Sequence, residues 1–144
     1  MGRTLALDLG EKRTGAAVTD NLGITAQPVG FNERTGYKSD LAWVRKLMEN
    51  YTIERIVIGY PLNMDGSAGE KAKACESIAH KFANDLNLKV VLFDERMTSI
   101  EAEKILIETG TSRKKRKKKI DQVSAQLILT GWLSTGGSGG IVIK

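Results

Sequence analysis

Four carboxylates lie where the sequence predicts that a strand ends or a helix begins. Asp8 lies near the end of a short apolar segment, Asp94 and Glu95 directly follow another, and Asp121 opens a predicted C-terminal helix. In an open α/β sheet, ligands bind beyond the carboxyl ends of the parallel strands, where these positions would meet. The 144-residue chain has a single histidine, which excludes a multi-histidine metal site. Carboxylates without histidine or cysteine partners suit a hard cation such as Mg²⁺.

Together these acids predict a site for phosphodiester hydrolysis. Paired metal ions about 3.5–4 Å apart can activate a water and neutralise the leaving oxygen. Taken singly, each acid has a simpler explanation: Asp8 fits a turn cap, Asp121 fits a helix N-cap, and Asp94 with Glu95 fits favourable charge before a helix N-terminus. Only the whole set favours a metal centre, and the pattern alone does not separate Asp94 from Glu95.

Positive charge is concentrated in one short segment. The formal net charge is +5, from 22 Lys and Arg against 17 Asp and Glu. Seven of the basic residues are consecutive, which leaves 15 basic against 17 acidic residues in the remainder. Such a run favours an anionic partner, above all nucleic acid, although it also fits a solvated loop. Its members are Arg113, Lys114, Lys115, Arg116, Lys117, Lys118 and Lys119.

A second basic feature follows Asp8 directly. The segment from Gly10 to Gly15 is a glycine-bounded turn that contains Lys12 and Arg13. Gly10 permits a positive φ or a close backbone approach, and the two basic side chains are suited to contact phosphate. An ordinary hairpin turn with solvated charges explains the segment equally well.

The elements that must position these residues follow from the hydrophobic pattern. Residues 4–31 read as three strands joined by Gly/Asn/Asp turns, which predicts antiparallel hairpins. Helices and buried strands then alternate in the order β-β-β-α-β-α-β-α-α, which predicts a mixed sheet with helices on its faces. We expect helix starts at Ser39, Ser67 and Thr98 and a last helix from Ile120, with the basic run as a loop before it.

Length and composition narrow the class of protein. A chain of this length is about one domain, and 41% hydrophobic residues suffice for a core. The single cysteine, Cys75, excludes an internal disulfide and fits a reducing compartment. No apolar run approaches the roughly 18 residues of a membrane span, and no signal peptide is recognisable. We expect a cytoplasmic protein without a membrane partner, in which Trp43 and Trp132 are packing residues and His80 has no catalytic part.

Four sequence blocks closely resemble the YqgF/RuvX family, described both as Holliday junction resolvases and as pre-16S ribosomal RNA nucleases. The blocks are Leu7–Gly15, Val57–Ser67, Asp94–Ala102 and Asp121–Leu129, and the resemblance covers about residues 3–134. Each block is moderately specific, and all four in this order and spacing are a strong signal. One departure is Ser124, where the family often has alanine.

The resemblance implies an RNase H-like domain of the RuvC branch. That fold has a five-stranded mixed sheet, with the first three strands antiparallel and helices on both faces. We expect this domain to span residues 1–134, followed by a Gly/Ser-rich tail over residues 135–144. By the same resemblance, Asp8, Glu95 and Asp121 are catalytic acids that bind Mg²⁺ or Mn²⁺, and Glu95 is preferred over Asp94.

The resemblance also implies residues that bind the substrate. Arg13, Arg96 and Thr98 would contact substrate or support the site, and Asn63 would shape the neighbouring loop with Gly59 and Gly66. The predicted nucleic-acid contacts are the basic run together with Lys12, Arg13, Asn63, Arg96 and Thr98.

The sequence thus predicts a metal-dependent nuclease acting on structured nucleic acid. The favoured activity is processing of the precursor 16S ribosomal RNA end, and the alternative is cleavage of branched DNA. A non-catalytic nucleic-acid-binding or ribosome-assembly protein is the competing class. The turn after Asp8 also resembles the phosphate loop of actin-like ATPases, but those need two such domains. Either a monomer or a homodimer is compatible with the sequence, since only symmetric junction cleavage needs a dimer.

Overall fold

The computed structural model describes residues 2–94, 113–137 and 139–143, with the backbone course alone for residues 113–123. These residues form an α/β fold with one mixed β-sheet and three helices. The strands are β1 Arg3–Leu9, β2 Arg13–Thr19, β3 Ala26–Glu33, β4 Ile53–Tyr60, β5 Lys89–Asp94 and β6 Ile141–Ile143. The helices are α1 Tyr37–Asn50, α2 Glu70–Leu86 and α3 Arg113–Ser134.

The sheet has the strand order β3-β2-β1-β4-β5-β6. β1 pairs antiparallel with β2, and β2 pairs antiparallel with β3, which confirms the predicted hairpins. β4 lies parallel to β1, and β5 lies parallel to β4. The carboxyl ends of β1, β4 and β5 therefore lie side by side at one edge of the sheet.

The predicted count of five strands is wrong, because β6 pairs antiparallel with β5 and makes six. Three residues were too few to classify from sequence, and the strand forms only because β5 offers a free edge. Gly140 permits this approach: it has a φ of 89°, and a Cβ there would lie 2.6 Å from the carbonyl oxygen of Leu92. The division into a 1–134 domain and a tail stays a prediction.

Helices cover both faces of the sheet, as predicted. On one face, α1 and α2 pack against Leu5, Leu7, Ile56 and Ile58, and the α2 residue Phe82 is fully buried there. We call this the α1/α2 face. Because neighbouring residues of a strand point to opposite sides, the residues between them line the other face.

On that other face, the α3 face, the sheet residues are smaller and the helix supplies larger ones, among them Ile128 and Trp132. Ala6, Ala17 and Val57 from the sheet meet Ala125 and Leu129 from α3, and all five are fully buried. Small residues allow the helix backbone to lie close to the strands.

Helix α3 begins earlier than the sequence predicts. It starts at Arg113, so the basic run lies within the helix and the expected loop before Ile120 is wrong. Asp121 lies inside α3 and is not its N-cap. Lys and Arg are good helix formers, and this preference outweighs the modest repulsion between like charges one turn apart.

The two other helix starts also differ from the predicted ones. The N-caps are Gly36 and Gly69, and neither predicted cap, Ser39 or Ser67, fills that role. The helix predicted from Thr98 lies outside the described residues. No helix in the described part of the chain is long and apolar enough to cross a membrane.

Candidate active site

Asp8 lies at the carboxyl end of β1, on the α3 face. It is half-buried, and it alternates with Leu7, which points to the α1/α2 face, so it shares the side of Ala6. Its cross-strand partner on β2 is Gly15, which has no side chain to fill the space beside the carboxylate. This carboxylate therefore lies at the edge where the sheet can receive a ligand.

The turn after β1 brings basic residues close to Asp8. The Gly10 N–H donates to the carbonyl oxygens of Asp8, at 3.1 Å, and of Arg13, at 2.9 Å. Arg13 lies diagonally across the strand pair from Asp8 on the same face, a separation of about 7–8 Å between backbone positions. Its guanidinium pairs with Glu33 at 3.2 Å, and Lys12 is exposed.

The end of β5 gives the position of Asp94, one of the two neighbouring acids that the sequence pattern does not distinguish. Asp94 is the last residue of β5 and pairs in register with Tyr60 of β4. It alternates with Phe93, which packs on the α3 face, and therefore lies on the α1/α2 face with Val90 and Leu92. Asp94 and Asp8 thus lie on opposite faces of the sheet. The predicted site residues Glu95, Arg96 and Thr98 lie outside the described residues.

The third predicted acid belongs to α3. Position 121 lies four residues before Ala125 and eleven before Trp132, both buried against the sheet. Helical spacing therefore places position 121 on the same stripe as these residues. The seven basic residues from Arg113 to Lys119 occupy the first turns of the same helix. Their side chains, and that of Asp121, lie outside what the structure describes.

The loop after β4 lies at the same edge and is internally hydrogen-bonded. The Asn63 amide donates to Ser67 Oγ at 3.1 Å, and its backbone N–H donates to the Ser67 carbonyl at 2.9 Å. Gly66 adopts a φ of 87°, which favours glycine. These bonds give the loop a defined shape, and Asn63 itself is exposed.

Tyr60 anchors this edge to α2. Its hydroxyl donates to the Glu76 carboxylate, and its side chain is buried on the α1/α2 face. The hydrogen bond to Glu76 and burial raise the pKa of Tyr60 to about 12. The tyrosine hydroxyl links the first half of α2 to the end of β4.

Sequence reasoning missed a buried carboxylate beside the β1–β2 turn. Asp40 in the first turn of α1 is 1% exposed and accepts hydrogen bonds from Thr14, Asn32 and Arg34. Its position beside the apolar stripe of α1 gave no signal, because its three partners come from β2, β3 and the segment after β3. The sequence shows only an acidic residue directly after Ser39, the predicted helix start, which is an ordinary position for an acid.

Among the residues that the structure describes, no three histidine, cysteine, aspartate or glutamate side chains form a metal-binding cluster. Glu95 and the side chain of Asp121, two of the three predicted ligands, fall outside that set. The described member, Asp8, offers the oxygen donor that Mg²⁺ prefers.

The fold is similar to that of solved Holliday junction resolvases. Thermus thermophilus RuvC, solved with a Holliday junction substrate, matches with a TM-score of 0.61 at 11% identity, over 98% of this chain and 99% of that one. The fowlpox virus Holliday junction resolvase matches with a TM-score of 0.55 at 13% identity, over 92% of this chain and 98% of that one. At these identities the likeness establishes the fold.

The particular family follows from the sequence. A family model described as "RuvX: Holliday junction resolvase" matches residues 2–135, so the chain belongs to this family and the resemblance is confirmed. A relative from Myxococcus xanthus is 45% identical over 131 residues, covering 91% of this chain and 87% of the relative. One from Bacillus subtilis is 43% identical over 136 residues, covering 92% and 98%. Both carry the name "Putative pre-16S rRNA nuclease".

Proposed function

We infer that this chain is a nuclease that uses a divalent metal ion and matures the end of precursor 16S ribosomal RNA in the cytoplasm. Membership of the RuvX family supports nuclease activity on nucleic acid, and the names of the curated relatives favour the ribosomal substrate. The observation that carries the metal-dependent part is Asp8, a half-buried carboxylate at the carboxyl edge beside a basic turn.

The proposed ligands of Mg²⁺ or Mn²⁺ are Asp8, Glu95 and Asp121. When bound, the ion supplies charge stabilisation to the scissile phosphate and lowers the pKa of the attacking water. The protein's own part is to hold three oxygen donors together at a partly buried edge.

The parity of β5 supports Glu95 as the second ligand. Val91 and Phe93 face α3, whereas Asp94 shares the opposite face with Leu92. Asp94 therefore faces away from the side of Asp8, which favours the neighbouring Glu95 as the proposed ligand. Asp94 would need to reach around the end of the strand to join Asp8.

The side of α3 that faces the sheet supports Asp121 as the third ligand. Position 121 lies four residues before Ala125 and eleven before Trp132, and both of these residues are buried against the sheet. Helical spacing therefore gives position 121 the side of α3 that faces the sheet, which is the face of Asp8.

The substrate is proposed to lie along the positive rim of this edge. Lys12 and Arg13 would contact phosphates beside Asp8, and Asn63 would contact the strand from the loop after β4. Arg96 and Thr98 are proposed to act beside Glu95. The first turns of α3 would add the phosphate contacts of the basic run: Arg113, Lys114, Lys115, Arg116, Lys117, Lys118 and Lys119.

Cleavage of branched DNA is the second candidate activity, and the RuvC-like fold is what favours it. Symmetric cleavage of a junction requires two active sites and hence a homodimer, whereas end processing is compatible with a monomer. A non-catalytic binding protein with the same fold would bind nucleic acid in a salt-sensitive manner without turnover.

One cleavage assay tests the proposal. Purified protein is offered precursor 16S RNA and a four-way DNA junction, each with Mg²⁺, with Mn²⁺ and with EDTA. We expect metal-dependent cleavage of the RNA and loss of about a thousandfold in rate for Asp8→Asn, because a bound metal contributes several kcal/mol to the transition state. Glu54→Gln, an exposed carboxylate-to-amide change at the opposite edge, is the matched control. Equal cleavage by wild type and Asp8→Asn would rule out this mechanism.

A further inference from the structure

The buried carboxylate of Asp40 organises a polar cluster under the β1–β2 turn. Its Oδ1 accepts from the Thr14 hydroxyl at 3.2 Å and from the Asn32 amide at 3.1 Å. Its Oδ2 accepts from Arg34 Nε at 3.3 Å. Asp40 is 1% exposed, so these three donors hold it in one position.

Arg34 links the fixed carboxylate of Asp40 to the β1–β2 turn. While its Nε donates to Asp40, its Nη1 donates to the Gly10 carbonyl oxygen at 2.7 Å. The backbone N–H of Arg34 also donates to the Lys12 carbonyl oxygen at 2.8 Å. A planar guanidinium can make both side-chain bonds at once, whereas a lysine ammonium is a single point on a flexible stem.

The turn held in this way lies between the proposed metal ligand and the proposed phosphate contacts. Gly10 is two residues after Asp8 and is hydrogen-bonded to its carbonyl oxygen. Lys12 and Arg13 follow immediately, and Arg13 shares the face of Asp8. A shift of Gly10 would therefore move the basic side chains relative to the carboxylate.

We propose that Asp40 and Arg34 are positioning residues for nucleic-acid binding, acting through the Gly10 carbonyl to fix Lys12 and Arg13 beside Asp8. This rests on the proposed function for the identity of the ligand. Asp40 is buried behind β2 on the α1/α2 face, with Thr14, and Arg34 reaches the site only through the backbone of the turn.

Two substitutions at Arg34 should weaken nucleic-acid binding to different extents. Arg34→Met removes both side-chain bonds and keeps most of the apolar stem, and Arg34→Lys keeps a charge but not the fork. Arg45→Met is the matched control, because Arg45 lies on α1 and donates to a different backbone carbonyl, that of Asp85.

The primary readouts are the Kd for a labelled precursor 16S RNA without divalent metal and hydrogen exchange in the segment 9–13. We expect Arg34→Met to raise Kd about tenfold and to speed exchange at Gly10, since a lost charged hydrogen bond has an effect of this order. Arg34→Lys should raise Kd about threefold, and Arg45→Met should leave Kd and exchange unchanged. The cleavage rate at saturating RNA should change by less than about twofold.

A double-mutant cycle separates positioning from general damage. Lys12→Ala should raise Kd by itself, and its effect should largely disappear in the Arg34→Met background, because both changes remove the same contact. Independent, multiplying effects would overturn the inference, as would unchanged exchange at Gly10. A fall in the melting temperature with an unchanged Kd would overturn it too. Failure of the wild type to cleave RNA would count against the proposed function alone, since Kd and exchange do not depend on cleavage.

Discussion

The two faces of the sheet differ in the size of the side chains that the strands present. We relate the α1/α2 face to the stability of the fold and the α3 face to cleavage. The α1/α2 face carries large apolar residues, among them Leu5, Leu7, Ile58 and the fully buried Phe82. On the α3 face, the first two strands carry the smaller Ala6 and Ala17, with Gly15 opposite Asp8, and the larger Ile128 and Trp132 come from the helix. Large side chains bury more apolar surface, whereas small ones let a helix and a carboxylate approach the strands.

This contrast explains why the candidate site lies where it does. A carboxylate among bulky apolar groups is unfavourable unless hydrogen-bond donors surround it, as they surround the structural carboxylate of Asp40 on the α1/α2 face. At the carboxyl edge of the α3 face, Asp8 is only half-buried and lies near Arg13. Substitutions on the two faces should therefore differ in whether they first affect folding or cleavage.

The largest effect on stability should come from the α1/α2 face. Phe82→Ala removes a fully buried ring that contacts Tyr37 and should lower the free energy of unfolding by about 3–5 kcal/mol. Chemical denaturation measures this change, and His80→Ala on the exposed side of the same helix is the control. Cleavage per folded molecule should stay close to wild type. A large loss of cleavage at full folding would remove the distinction between the faces.

An enlarged residue on the α3 face should do the reverse. Ala125→Leu overpacks the helix against the sheet and should cost about 1–3 kcal/mol, while displacing position 121. We expect cleavage per folded molecule to fall more than in Phe82→Ala. Thr130→Leu, on the exposed side of α3, is the control and should leave both quantities near wild type. Intact cleavage in Ala125→Leu would contradict the role given to α3.

Alkaline pH provides a milder test of the α1/α2 face. The pKa of Tyr60 is raised from 10.0 to about 12, so the folded state keeps a proton that the unfolded chain loses. This contribution is full below pH 10 and is lost as the pH rises towards 12. Urea unfolding across this range should show a shallower fall of stability in Tyr60→Phe than in wild type. Parallel curves would show that the Glu76 contact has no such effect.

The smallest effect should come from the exposed pair on the α3 face. Glu33→Gln releases Arg13 from its salt bridge and should tighten binding of precursor RNA about twofold at low salt. Fluorescence anisotropy measures the change, with Glu49→Gln on the exposed side of α1 as the control. Weaker binding in Glu33→Gln would mean that Arg13 does not contact the substrate.

The sequence predicted the hairpins and the position of Asp8 because glycine turns and strand ends leave local signals. It did not predict β6, since Ile141–Ile143 becomes a strand only against the free edge of β5. The basic run was read as a loop from its charge, although Lys and Arg favour helix. Asp40 was missed because its partners are distant in sequence.

The choice between Asp94 and Glu95 is the most direct test of the proposed metal site, because Asp94 lies on the face of β5 opposite to that of Asp8. Calorimetric titration with Mn²⁺ would compare wild type, Asp94→Asn and Glu95→Gln, with RNA cleavage measured on the same samples. We expect Asp94→Asn to retain metal binding and cleavage and Glu95→Gln to lose both. Loss in Asp94→Asn with retention in Glu95→Gln would contradict this expectation and would move the site off the α3 face.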